Sequence, residues 1–178
     1  ALRLESACAQ RGGFRVRTLS IRTVESEDPP LRHLADLLGR LARSPLSESA
    51  RERAASVLRR LAEAEARVHG LAVEEVHFHE VGAIDTLVDV CGAVFALERL
   101  GVERVLATTP YVGGGTVRCA QGELPVPAPG TAELLLGIPQ RRGPGGERVT
   151  PTGAALLVEL VERYEPDEAL VVERQGLG

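Results

Sequence analysis

Residues 76–100, VHFHEVGAIDTLVDVCGAVFALERL, decide how the rest of the chain is read. Two histidines, one glutamate and two aspartates fall within His77 to Asp89, and the segment then continues into the most apolar helical pattern in the sequence. His77 and His79 are two apart, so in extended backbone both point to one face. Asp85 and Asp89 are four apart, so on a helix beginning at Asp85 they share a face as well. Val81–Gly82–Ala83 permits a sharp turn between the pairs, with Glu80 beside it. Imidazole suits Ni, Zn, Fe or Cu and carboxylate suits Mg or Mn, so His77, His79, Glu80, Asp85 and Asp89 form a candidate metal cluster. The same groups can serve as general acids and bases, with Glu80 and Asp85 the catalytic candidates. The plainer alternative makes Asp85 an N-cap, Asp89 a dipole partner and the histidines strand-edge donors.

Working outward, helices and strands alternate on the C-terminal side. The helix from Asp85 closes at Gly101, Arg104–Thr109 reads as a buried strand, Pro110–Gly115 as a loop and Thr116–Leu124 as a strand or hairpin. PVPAPG (125–130) is a polyproline-like lead into a short helix over Thr131–Leu136. Thr150–Pro151 is a cap and first-turn signal for a helix to about Tyr164, and Ala169–Glu173 reads as a last strand. On the N-terminal side, Val73–His79 is a short strand or extended link. A long helix spans about Glu48–His69, with Ser47 or Ser49 as N-cap, Gly70 as its stop, and Ala54, Leu58, Leu61 and Val68 inward. Leu31–Ala42 is a shorter amphipathic helix, and Phe14–Val24 alternates as a strand after the Arg11–Gly12–Gly13 turn. The expected fold is α/β, a mixed sheet with packed helices. Residues 1–30 would form a strand-containing segment, 31–70 a helical hairpin insertion and 71–178 the α/β part.

Two further stretches suit anions. Gly113, Gly114 and Gly115 free backbone N–H groups for close approach, with Arg118 as an added cation. Thr150, Thr152 and Gly153 sit at an open helix N-terminus, where free amides and the dipole favour phosphate. A flexible turn and an ordinary capped helix are the structural alternatives. His33 reads as a solvated helix residue, His69 as a helix C-terminal cap and Cys91 as a packed small hydrophobe.

Composition removes several classes of function. The 178 residues carry a net charge of -4, which argues against a nucleic-acid surface. There is no lysine, so phosphate-loop, Schiff-base and kinase lysine chemistry is excluded. Cys8, Cys91 and Cys119 are odd in number and widely spaced, which fits a reducing cytoplasm rather than a disulfide framework. No run has the length of a membrane span.

Four blocks in order, LRRLAEAEARVHG, EEVHFHEVGAIDTLVDVCGA, GELPVPAPGT and VTPTGAALL, cover about residues 57–157 and resemble the nickel insertion protein family. The resemblance implies a chelatase that inserts nickel into pyridinium-3,5-bisthiocarboxylic acid mononucleotide. It also implies CTP with Mg or Mn in the reaction, and as product the nickel-pincer nucleotide cofactor of lactate racemase. It supplies a phosphorylated, nucleotide-like small-molecule substrate for the anion-binding stretches. The family's Gly/Ser/Asp-rich opening is missing, its histidine-rich tract is reduced to His33, and Ala120–Gln121–Gly122 replaces AHG. The chain also stops before the family's C-terminal domain, so the expected partner is that domain and residues 1–178 are expected to be catalytically incomplete. A homo-oligomer stays open. Competing with the chelatase are a non-catalytic assembly domain, which would bind no metal, and a metal-dependent nucleotide phosphohydrolase.

Overall fold

The structure, a computed structural model, describes residues 2–23, 33–78, 83–119, 122–143, 145–165, 169 and 171–177. Two compact units divide the chain, Ala1–Pro30 with Asp167–Gly178, and Leu31–Pro166.

The first unit is a ribbon. Strand β1 (Leu2–Arg11) pairs antiparallel with β2 (Phe14–Thr23), from Leu2 opposite Thr23 to Arg11 opposite Phe14. Gly12 and Gly13 take φ of 55° and 84°, the left-handed pair that a two-residue hairpin loop requires. Sequence reading finds β2 but passes over β1, where the alternation of Leu2 and Leu4 with Arg3 and Glu5 is short and gives way to the low-contrast Ser6–Gln10 stretch. Ala169–Glu173, read as a strand, is unpaired at its described positions, Ala169 and Val171–Glu173. Its apolar, β-branched composition suits a strand, but no ladder partner fixes its described positions.

The second unit is organised by helices. Helix α1 (Leu34–Ala42) turns Leu37 and Leu41 inward, and α2 (Glu48–His69) buries Ala54, Leu58 and Leu61. Val68 is 39% exposed, contrary to its expected inward position, because Ala64 and Ala66 carry the buried stripe through the last turns. The Ser47 hydroxyl accepts from the Ala50 amide at 3.1 Å, and Gly70 ends the helix at φ 66°. Ser47→Ala is therefore expected to lower unfolding free energy by about 1 kcal/mol, with Ser47→Asn retaining most of it in urea titrations. After a single 3-10 turn at Val73–Glu75, where a strand or extended link is expected, Val76–Phe78 runs extended. Helix α3 (Ala83–Arg99) then buries Leu87, Val90 and Val94.

Beyond α3 the strands are short. β3 (Leu106–Ala107) lies parallel to β9 (Arg163–Tyr164) and is half-buried, so the strand expected over Arg104–Thr109 shrinks to two residues. The expected loop at Pro110–Gly115 contains β4 (Tyr111–Gly114), centre of a mixed sheet between β7 (Arg141–Arg142) and β8 (Gly146–Glu147). β5 (Thr116–Cys119) and β6 (Gly122–Pro125) form the expected hairpin. Helix α4 (Pro129–Leu134) and α5 (Pro151–Leu160) close the unit, α5 ending short of Tyr164 at a residue, Val161, in extended backbone. The fold is α/β, with several small sheets in place of one continuous mixed sheet. Helix α2 packs against α1, α3, α4 and α5, so the apolar core runs through it.

Candidate functional site

The extended segment before α3 positions the first candidate ligand. Val76 and Phe78 are buried, so the alternation of extended backbone turns His77 outward, where it is exposed. His79 and Glu80 lie outside the described residues. Asp85 and Asp89, one turn apart on α3, are both exposed. Burial pushes the Asp89 carboxyl above its usual range, and the nearby Asp85 carboxylate pushes it further the same way. A carboxyl raised by a neighbouring carboxylate on an accessible face is one whose charged form a cation would favour. Among the described residues, no three His, Cys, Asp or Glu side chains are grouped as a metal site.

His33 joins His77. It is the N-cap of α1 and half-buried, not a solvated helix residue, and its ring centroid lies 4.2 Å from that of His77 with the planes tilted by 52°. Its Nδ1 is 3.1 Å from the Val76 carbonyl oxygen, and its backbone N–H donates to Asp36 Oδ2 at 3.0 Å. Sequence reasoning missed this residue. The local signal was available, since Asp at the third position after an N-cap is a capping pattern. The ring's partner lies on a distant stretch of chain and had no local signal.

The glycine run has a packing role. A Cβ at Gly113 would fall on the Gly146 carbonyl oxygen, and one at Gly114 on the Gly143 carbonyl oxygen. The close approach at these two positions is thus made by acceptors, which repel an anion. Gly115, at φ 86°, has open space around its Cα. Arg118 is exposed on β5 and stands opposite Glu123 across the hairpin. At the start of α5, Thr150 Oγ1 accepts from the Gly153 amide at 3.2 Å and the Thr150 carbonyl accepts from Ala154 at 2.8 Å. Pro151 has no N–H, so the cap leaves the Thr152 amide as the first-turn donor for a ligand.

Two of the sequence blocks meet in the fold. A Cβ at Gly130, at the start of α4, would collide with a Glu65 carboxylate oxygen of α2, and the other Glu65 oxygen lies 3.4 Å from His69 Nε2. LAEAEARVHG and PVPAPG therefore fit together as packing partners. His69 pairs with Glu65, an acid one turn back, in place of the expected cap. Cys91 is half-buried, and burial raises its thiol above the usual range, as suits an inert packed sulfur. No helix among the described residues is long and apolar enough to cross a membrane.

Comparison with known proteins adds a family. The profile described as nickel insertion protein matches residues 1–178. A Geobacter metallireducens protein named for nickel insertion is 49% identical over 153 residues, 85% of this chain and 39% of its own length. A similarly named protein of a Geobacter species is 46% identical over 98% of this chain and 46% of its own. The pyridinium-3,5-bisthiocarboxylic acid mononucleotide nickel insertion protein of Desulfitobacterium hafniense is 45% identical over 83% of this chain and 37% of its own. The chain thus spans less than half the length of these relatives. No solved structure matches it.

Proposed function

The chain belongs to the nickel insertion protein family, and from that premise we infer that it forms part of a nickel chelatase acting on pyridinium-3,5-bisthiocarboxylic acid mononucleotide. The family match and the relative named for that substrate support the reading. On this reading the product is the nickel-pincer nucleotide cofactor of lactate racemase. CTP with Mg or Mn drives the insertion, and the remaining length of the longer relatives supplies the rest of the machinery. The free thiols of Cys8 and Cys91 suit a reducing cytoplasm as its setting.

The observation that carries the metal assignment is the placement of Asp85 and Asp89 one turn apart on the exposed face of α3, where the Asp85 carboxylate adds to the burial that raises Asp89. Carboxylate oxygens fit a hard cation, so this pair would hold Mg or Mn, which neutralises phosphate oxygens when bound. Nickel is cargo and needs a donor that binds it and then yields it. Imidazole binds Ni well, but the sulfurs of a bisthiocarboxylate are softer and compete for the ion. His77 is accordingly the nickel-holding residue, with His79 and Glu80 as its neighbours in sequence, and the Thr152 amide at the start of α5 is a donor toward the mononucleotide phosphate.

Insertion assayed with the mononucleotide, Ni(II), CTP and Mg or Mn, with residues 1–178 joined to the C-terminal domain of a longer relative, tests this. Asp85→Asn and Asp89→Asn are each expected to lower the rate at least ten-fold, a floor beneath the roughly 10²–10³ that one preorganised electrostatic group contributes. Melting should stay close to that of the parent chain. Unchanged insertion in both variants excludes the acid pair, and nickel-independent CTP hydrolysis would favour the phosphohydrolase.

A further inference from the structure

We propose that His33 is a second nickel-binding residue, its ring and that of His77 forming a two-imidazole landing site for the incoming ion between α1 and the extended segment at Val76–Phe78. The inference rests on the chelatase reading for the identity of the metal, but its geometry stands apart from it.

Three observations carry it. The first is the tautomer. A carbonyl oxygen only accepts, so the 3.1 Å contact between His33 Nδ1 and Val76 O places the ring proton on Nδ1 and the lone pair on Nε2. A ring N–H fixed by a backbone carbonyl is the arrangement that orients ligating histidines and raises their basicity. The second is rigidity. The His33 backbone is tied at both ends, its N–H to Asp36 Oδ2 at 3.0 Å and its carbonyl to the Asp36 and Leu37 amides at 3.1 and 3.3 Å. The imidazole thus leaves a fixed N-cap.

The third is spacing. With metal–nitrogen bonds of about 2.0–2.1 Å and a ring radius of about 1.1 Å, each centroid lies about 3.1 Å from a shared ion. Two rings at a right angle about the ion then have centroids about 4.4 Å apart, and a tetrahedral angle spreads them to about 5.1 Å. The observed 4.2 Å lies close to the separation that two rings sharing one ion would have. Imidazole donors suit Ni(II), and the chelatase reading supplies the choice of metal. Two imidazoles leave other coordination positions open, as an ion that must be handed on requires.

The experiment is a calorimetric titration of the full chain with Ni(II) alone, using the parent protein, His33→Asn, His77→Asn and the double variant. Asparagine is a good N-cap, so His33→Asn keeps the start of α1 while removing the imidazole. Circular dichroism melts confirm that each variant is folded. Each single variant is expected to weaken binding at least ten-fold, and the double variant by much less than the product of the two losses, because either change already breaks the chelate. Imidazole NMR signals of His33 and His77 should both broaden or shift first at substoichiometric nickel. His33→Asn binding within two-fold of the parent, no nickel binding by the parent chain, or His33 signals neither shifted nor broadened when nickel is bound would each overturn the proposal. The chelatase reading fails separately. Nickel binding that depends on His33 without insertion leaves the landing site standing alone, whereas insertion with His33→Asn unaffected leaves the reaction and removes His33 from it.

Discussion

Gly113→Ala is expected to remove about 2–5 kcal/mol of folding free energy, from about 1–2 for a side chain in left-handed backbone and about 1–3 for the overlap. Gly113 has φ 88°, and a methyl group there would occupy the place of the Gly146 carbonyl oxygen and press on Arg148 Cγ. Neither neighbour can easily give. Gly146 belongs to β8, whose pairing with β4 runs through Gly113 opposite Glu147, and the chain continues from β8 through the buried Val149 into the cap of α5. Displacing that carbonyl therefore moves the start of a core helix. Gly115 supplies the internal control, with φ 86° and open space around it. Gly115→Ala should cost only the backbone strain, about 1–2 kcal/mol. Urea unfolding followed by circular dichroism measures the difference. Equal costs at the two positions would mean that the β4–β8 approach is not a fixed feature of the fold.

The same triplet shows where sequence reading stops. Three glycines have no β propensity, so Tyr111–Gly114 reads as a loop. Their value as a strand lies in what approaches them, and the approaching residues, Gly143 and Gly146, are some thirty positions along the chain. Helices carry their signals locally. Ser47, Gly70 and Gly101 mark ends that the structure keeps, and Leu87, Val90 and Val94 mark a face by spacing alone. Pairs of two residues such as β3 with β9 have no period to detect and are fixed by tertiary contacts.

Legibility of the site divides the same way. The acids at 85 and 89 and the outward turn of His77 follow from residue type and spacing. His33 could be read only as an N-cap candidate, because its relation to His77 depends on how α1 packs against the segment after α2. The phosphate-loop reading of Gly113 and Gly114 meets carbonyl oxygens where an anion was expected. That arrangement depends on long-range register, which no local pattern encodes.

Leu61→Ala is expected to cost about 3–4 kcal/mol, within the range for a fully buried leucine whose cavity cannot collapse. Leu61 has no exposed surface and sits midway along α2, the helix against which α1, α3, α4 and α5 all pack. Four partners converge on one helix, so a relaxation that fills the cavity from one side opens a gap on another. With total stabilities of about 5–15 kcal/mol in domains of this size, the loss is a large share of the whole. The location of the loss matters more than its size. Residues 31–70 read in sequence as a helical hairpin insertion, and contacts place them in the unit Leu31–Pro166. If α2 is the shared core, Leu61→Ala lowers amide protection in α3, α4 and α5 together with α1, in a single unfolding transition. Hydrogen exchange decides the matter. Protection lost in α1 and α2 alone, with α3 to α5 unchanged, would show an independent hairpin and would detach His33 on α1 from the frame that holds His77.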